Sequence, residues 1–233
     1  MDINCDLGEG IGNDEKIMPY ITSCNIACGG HAGDERSVTE TIRLAKKYGV
    51  KPGAHPSFPD RENFGRIPLE ISETELKKVL TDQISMIRKI AEKEGVKLHH
   101  LKPHGALYNL AVHDQKTAGI IIEVMQEAGN DLILYVPFNS LIEVLSRQYK
   151  IPYFYEVFAD RAYRDDLSLV SRREQGALIE DPEIIYKRVK KMISEEKVVS
   201  NTGKEVVIKA DTVCIHGDNP NAVEIARMLN NLI

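Results

Sequence analysis

Residues 98 to 109 read LHHLKPHGALYN and set His100, Lys102 and His104 at every second position. In an extended strand those three side chains leave the same face. Buried lysine and histidine are costly unless paired, so this face is expected to wall a polar cavity. There an ammonium could stabilise developing negative charge and the imidazoles could move protons. Four more stretches, MDINCDLGEG, NIACGGHAGD, KPGAHPSFPD and CIHGDNP, also end polar or glycine-rich after a strand-like start. The chain reads as one enzyme site assembled from many strand ends.

Each stretch has a chemical reading and a plain one. Asp6 and Glu9 stand where the first strand breaks into a glycine-rich turn, a place for a metal ligand or general base, or for a turn residue capping its own backbone. GEGIG lacks the dinucleotide spacing. Asn25 and His31 flank two glycines ahead of a helix N-terminus, which suits an anion or catalytic pocket. His55 ends a strand and opens a proline-bounded loop with Asp60, Arg61 and Arg66, whose arginines can clamp a carboxylate or phosphate. Residues 156 to 172 gather Asp160, Arg161, Tyr163 and Arg164, either as solvated ion pairs or as a lid or docking segment. NTGKE (201 to 205) is not a P-loop, because Val198 replaces the first glycine and Glu205 the Ser or Thr. No G-x-S-x-G is present.

These residues need a frame that brings distant segments together. Strand-like runs near 1–6, 24–28, 50–55, 98–103, 132–136, 153–159 and 211–216 alternate with helical patterns, which predicts a parallel α/β sheet or barrel. Helix signals include Asp34 before a run ending at Gly49, Ser72 with Glu75 before a run to Gly95, and Asp181-Pro182; Pro220 is expected just inside the last helix. In the first strand Ile3, Cys5 and Leu7 oppose Asn4 and Asp6; in the last, Val213 and Ile215 oppose Cys214, His216 and Asp218. Gly53 with His55, and Glu156 with Asp160, extend the polar set. Polar residues inward and apolar ones toward helices favour a barrel with its site at the C-terminal strand ends.

Composition narrows the class. A chain of 233 residues can form one domain, expected over 1–233. Thirty Lys and Arg against 35 Asp and Glu give a net charge of -5, unlike a nucleic-acid footprint. No apolar run reaches the length of about 18 residues that a membrane span needs, and the start is strand-like with no leader pattern. The four cysteines show no C-x-x-C spacing and are expected to be reduced and buried. A soluble, cytoplasmic protein is the expectation.

DINCDLGEG, NIACGGHAGD, GAHPSFPD, FGR, LKPHGALYN and EVFADRAY, in this order from Asp2 to about Asp218, together resemble the LamB/YcsF family. The resemblance implies a (β/α) barrel of about seven parallel strands, similar to the glycoside hydrolase/deacetylase superfamily. It also implies an ATP-dependent 5-oxoprolinase activity, opening 5-oxo-L-proline to L-glutamate together with separate B and C subunits. The matching positions are Asp6, Glu9, Asn25, His31, His55, Lys102, His104, Asn109, Asp160, Arg161 and His216. Gly30 departs from the pattern, since many members carry a bulkier residue there. This is expected to reshape the pocket beside His31 without removing its groups.

A five-membered amide resists water, and ATP can convert its oxygen to a phosphorylated imidate that water then attacks. Lys102 is expected to offset negative charge, Asp6 or His55 to take the water proton, and His104 or His31 to protonate the ring nitrogen. Arg66 and Arg161 are candidates for the substrate carboxylate, with Glu9, Asn25, Asn109, Asp160 and His216 as further substrate contacts. Two alternatives stand beside this one. One is metal-dependent deacetylation or amide hydrolysis, with Asp6, His31 and His55 as ligands. The other is a non-catalytic carrier of an acidic metabolite.

Overall fold

The computed structural model describes residues 1–129 and 131–232, so the expected span 1–233 includes two positions, Asn130 and Ile233, outside the described residues. Strands β1 (Asp2–Leu7), β2 (Ser23–Ala27), β3 (Lys51–His55), β4 (His100–Leu101), β5 (Ile133–Pro137) and β6 (Tyr153–Phe158) follow one another round a closed barrel. An antiparallel hairpin of β7 (Lys197–Val199) and β8 (Glu205–Val207) intervenes. Strand β9 (Thr212–His216) then closes the ring between β6 and β1, and all seven barrel pairings are parallel.

The helices are α1 (Asp14–Ile17), α2 (Glu35–Tyr48), α3 (Glu73–Lys93), α4 (Gly105–Ala111), α5 (Gln115–Ala128), α6 (Leu141–Gln148), α7 (Pro182–Glu195) and α8 (Ala222–Asn230). Asp34 accepts from the Ser37 amide in a capping box, and α2 stops at Gly49 with φ 69°. Val38, Ile42 and Ala45 form its buried stripe. Ser72 caps α3 through the Glu75 amide, and Leu76, Leu80, Ile84 and Ile87 bury the inner face of that helix. Asp181 caps α7, with Pro182 in the first turn. The last helix starts later than the sequence predicts. Asn221 is its cap, and Pro220 lies outside it in a turn closed by the Ala222 amide on the Asn219 carbonyl. The NTGKE stretch turns the β7–β8 hairpin, where the Ser200 amide meets the Lys204 carbonyl.

Side chains fill the barrel in polar layers. At its floor Asp2 accepts from Ser23, Thr212 and Tyr135 at 2.7, 2.6 and 3.2 Å. Above it Asn25 donates to Asn4 Oδ1 at 2.7 Å and accepts from His100 Nε2 at 2.7 Å. The His100 ring stacks on Tyr135 with centroids 4.1 Å apart. Gly53 pairs with His100 across β3 and β4, and a Cβ there would collide with the imidazole. The glycine makes room for the histidine, and that fixes the layer beneath the site.

Candidate active site

The barrel opens at the C-terminal strand ends into a cavity of about 850 Å³. Asp6, His55, Lys102, His104, Glu156, Phe158 and His216 line its base. Arg66, Asn109, Arg161 and residues 167–173 form its walls. Each basal side chain comes from a strand end or the turn that follows it, as barrel sites require.

Lys102 is the centre of charge. Its ammonium lies 2.9 Å from Asp6 Oδ1, 3.0 Å from Glu156 Oε1 and 2.9 Å from Cys214 Sγ, and the residue is 2% exposed. Burial pulls the ammonium down, but Asp6, Cys214 and Glu156 together hold it well above the usual lysine range. Burial pushes the Asp6 carboxyl up, yet His55 and Lys102 outweigh it and keep Asp6 well below the ordinary carboxylate range. Both groups are charged at neutral pH.

Histidines form the adjoining wall. His55 Nδ1 donates to the Lys102 carbonyl at 2.7 Å, and its Nε2 lies 3.4 Å from Asp6 Oδ2 and 2.9 Å from His104 Nδ1. His104 Nε2 donates to the Phe64 carbonyl at 3.0 Å. That contact ties the wall to the loop after His55, which also caps α4 where the Gly65 carbonyl accepts from the Ala106 amide. The His31 ring stacks on His104 at 3.6 Å, with Nε2 3.0 Å from Glu9 Oε1 and Nδ1 3.0 Å from Ser57 Oγ. Burial, followed by the charges of His31 and His55, pulls His104 well below the usual imidazole range, and burial likewise lowers His31.

Not every expected residue reaches the cavity: Glu9 and His31, paired with each other and with His31 stacked on His104, do not line it. Asn25 is bound to Asn4, Asp6 and His100 one layer down, where it orients Asp6 and does not line the pocket. Asp160 is also set back, accepting from His216 Nδ1 at 2.7 Å and from the His216 amide at 3.2 Å. Its carboxyl is pushed up by burial but held below the usual range by His216. Arg161 lines the wall with Nη2 on the Val170 carbonyl at 2.7 Å, and burial, with Arg172 nearby, lowers it to about 10. Arg66 and Arg172 both reach Asp218 Oδ2 at 2.9 Å, joining two walls of the cavity.

Glu156, Tyr108 and Arg172 also line the site, and their sequence signals are weak. Glu156 shows only as the inward polar residue in an aromatic strand, and Tyr108 as one residue after the LKPHGAL turn. Glu156 Oε2 and the Tyr108 hydroxyl are buried and near each other, but make no hydrogen bond of full geometry among the described residues. Ligand polar groups can satisfy them.

Two clusters bring metal-type donors together. Glu9, His31, His55 and His104 form one, and Asp6, Cys214 and His216 the other. Of the trio Asp6, His31 and His55 expected from the sequence, His31 and His55 fall in the first cluster; Asp6 belongs to the second, with its Oδ1 on Lys102 and Asn25 and its Oδ2 3.4 Å from His55 Nε2. Among the described residues no helix is long and apolar enough to cross a membrane.

The architecture and pocket define a seven-stranded parallel α/β barrel with a strand-end polar site of the kind enzymes use. Over residues 1–233 the sequence matches the LamB/YcsF family, and the chain belongs to it. It is 46% identical to the 5-oxoprolinase A subunit of Nitrobacter hamburgensis, over 100% of this chain and 94% of that protein. It is 44% identical to the 5-oxoprolinase A subunit of Clostridium beijerinckii, over 98% and 92%. The lactam utilization protein from Thermus thermophilus superposes with a TM-score of 0.91 at 38% identity, covering 99% of this chain and 94% of that one.

Proposed function

We propose that residues 1–233 form one catalytic domain, the A subunit of an ATP-dependent 5-oxoprolinase that opens 5-oxo-L-proline to L-glutamate. The site observation that carries the reading is Lys102, a buried ammonium at the cavity base between Asp6 and Glu156. A preorganised cation in a water-poor pocket is suited to the charge that develops on an amide oxygen or phosphoryl group. The relatives named as 5-oxoprolinase A subunits at 44–46% identity supply the substrate class.

Transfer of the γ-phosphoryl group of ATP to the lactam oxygen releases ADP and activates the ring carbon. Water then adds, the ring C–N bond breaks with a proton delivered to nitrogen to leave a γ-glutamyl phosphate, and a second water hydrolyses that acyl phosphate to glutamate and free phosphate. The balance is lactam, ATP and two waters to glutamate, ADP and phosphate. In this reading Asp6 or His55 takes the water proton, and His104, which lines the cavity where His31 does not, protonates the ring nitrogen. Arg66 and Arg161 bind the substrate carboxylate, with Asn109 and His216 lining the same cavity, while Glu9 acts from outside the lining through His31. Asn25 and Asp160 act beneath, holding Asp6 and His216. The cavity of about 850 Å³ is larger than a five-membered lactam fills, which leaves space for a second reactant.

The partners are the B and C subunits, in a cytoplasmic setting. The sequence has no Walker-type loop, and the exposed part of the loop after His55 (residues 59–63) with the exposed end of the DRAYRDD segment at Asp165 and Asp166 are the proposed docking surfaces; Asp160, Arg161 and Tyr163 of that segment are buried. The test is reconstitution. The purified chain alone is expected to show little 5-oxoproline-dependent ATP hydrolysis, and B and C together are expected to restore it with glutamate formed alongside ADP. Full activity of the isolated chain refutes the division of labour, and no glutamate from the complete set refutes the reaction.

A further inference from the structure

Two ring nitrogens in the pocket wall are turned on each other. His55 Nδ1 and His104 Nε2 each face a backbone carbonyl, of Lys102 and Phe64. A carbonyl only accepts, so those two nitrogens carry the ring protons. In the neutral rings His55 Nε2 and His104 Nδ1 are then both bare lone pairs, yet they stand 2.9 Å apart, and both residues are buried. Two acceptors at that distance repel unless a cation joins them.

A proton on His55 Nε2 would have Asp6 Oδ2 3.4 Å away, and the surroundings also offer the donor set of a larger cation. Glu9 Oε1 lies 3.7 Å from His104 Nδ1, and one donor atom from each of Glu9, His31, His55 and His104 lies within 4.8 Å of the others. A nitrogen pair 2.9 Å apart fits two ligands about 2.0–2.1 Å from one ion at about a right angle. The His55 and His104 rings meet edge to face at 89°, so the ring planes do not stack on each other. His31 differs, because its ring lies parallel to His104 at 3.6 Å, and an ion in the plane of one lies out of the plane of the other. Its Nε2 is instead 3.0 Å from Glu9 Oε1 and orients that carboxylate. The second cluster, Asp6 with Cys214 and His216, already has the Lys102 ammonium 2.9 Å from Asp6 Oδ1 and from Cys214 Sγ.

We propose that His55 Nε2, His104 Nδ1 and Glu9 Oε1 bind one divalent first-row transition-metal ion, with His31 holding Glu9 in place. Two imidazoles and a carboxylate are a donor set for Zn²⁺ and its neighbours that leaves further coordination positions open. Such an ion polarises a carbonyl or activates water. With the ion bound His55 and His104 have no free ring nitrogen, so the ion replaces their direct proton-transfer roles in the proposed reaction and Asp6 Oδ2 is left to take the water proton. Ion binding is measured without lactam or ATP, so it stands or falls separately from the oxoprolinase reading.

The test uses the full chain, stripped with a chelator, loaded with Zn²⁺ or Co²⁺, desalted and analysed for metal. The Co²⁺ visible spectrum and the thermal unfolding midpoint are parallel readouts. About one ion per chain, a Co²⁺ spectrum with nitrogen-ligand character and a raised midpoint are expected. Glu9→Gln and His104→Gln are each expected to weaken binding by roughly 10-fold or more, while Asp6→Asn retains about one ion. Unfolding in chelator checks the fold of each variant, and Glu9→Gln carries the comparison if His104→Gln does not fold. A wild-type chain that retains no ion overturns the proposal and leaves a shared proton between the two rings. Loss of the ion in Asp6→Asn with unchanged binding in Glu9→Gln overturns it too, by moving the ion to the other cluster.

Discussion

Lys102 and Asp6 are held 2.9 Å apart across the barrel, from strand ends 96 positions apart in the chain, and both side chains are almost fully buried. Glu156 adds a second carboxylate 3.0 Å from the same ammonium. The charge that the proposed reaction would draw on at Lys102 is thus also what keeps two buried carboxylates compensated.

Lys102→Met tests both. It leaves Asp6 and Glu156 without their cation, so a stability loss of about 3–5 kcal/mol is expected from denaturant unfolding. Adding Asp6→Asn to it is expected to recover part of the loss, because one uncompensated charge is removed. Turnover of the reconstituted enzyme is expected to fall roughly 100-fold or more in the single variant. A single variant as stable and as active as the wild type contradicts both roles.

Asp160 gives a pH signature. Its carboxyl is held below its ordinary value by the His216 contact at 2.7 Å, so the native state favours the ionised form more than the unfolded chain does. Stability from that source is fully present above the unfolded pKa near 4 and is lost as pH falls through the lower native value. Asp160→Asn is therefore expected to cost about 2–3 kcal/mol at pH 7. The cost should shrink progressively below about pH 4. Parallel urea titrations of the two proteins at both pH values measure this, and a penalty independent of pH contradicts it.

Much of this frame is legible in the sequence. Seven strands and their inward faces follow from polar residues interleaved in apolar runs, as in Asn4 and Asp6 against Ile3, Cys5 and Leu7. The β7–β8 hairpin escapes such a reading because two three-residue strands with exposed Val199 and Val207 carry almost no burial pattern. Asn25 has the right chemistry for a ligand contact, but its saturation by Asn4, Asp6 and His100 depends on partners 19 to 75 positions away. Gly53 reads in the sequence only as an inward strand position beside His55, and the His100 ring packed against it reveals its steric role.

The thiols are expected to be inert in the folded chain. Cys5, Cys24, Cys28 and Cys214 are free and at most 1% exposed. Burial raises all four, Cys28 to about 12, and at Cys214 it outweighs the opposing pull of Lys102. A disulfide reagent at pH 8 should therefore modify none rapidly in the native protein and all four after denaturation. Fast native labelling of any one of them contradicts this.

Gly30 is the position where the family pattern and the packing meet. A Cβ there would run into Ser57 Oγ and lie 2.6 Å from Gln83 Oε1. Gln83 is fixed in turn, accepting from the Ser57 amide at 3.1 Å and donating to the Ser57 carbonyl at 2.8 Å. Ser57 Oγ is 3.0 Å from His31 Nδ1, so pressure at Gly30 passes through Ser57 to the ring that touches Glu9. Gly30→Ala is expected to cost about 1–3 kcal/mol by overpacking. Shortening the obstruction with Gln83→Ala in the same chain should relieve part of that cost, although each single change is destabilising. A thermodynamic cycle over the four proteins measures the coupling, and strict additivity of the two losses would show that Gln83 is not what excludes a side chain at position 30.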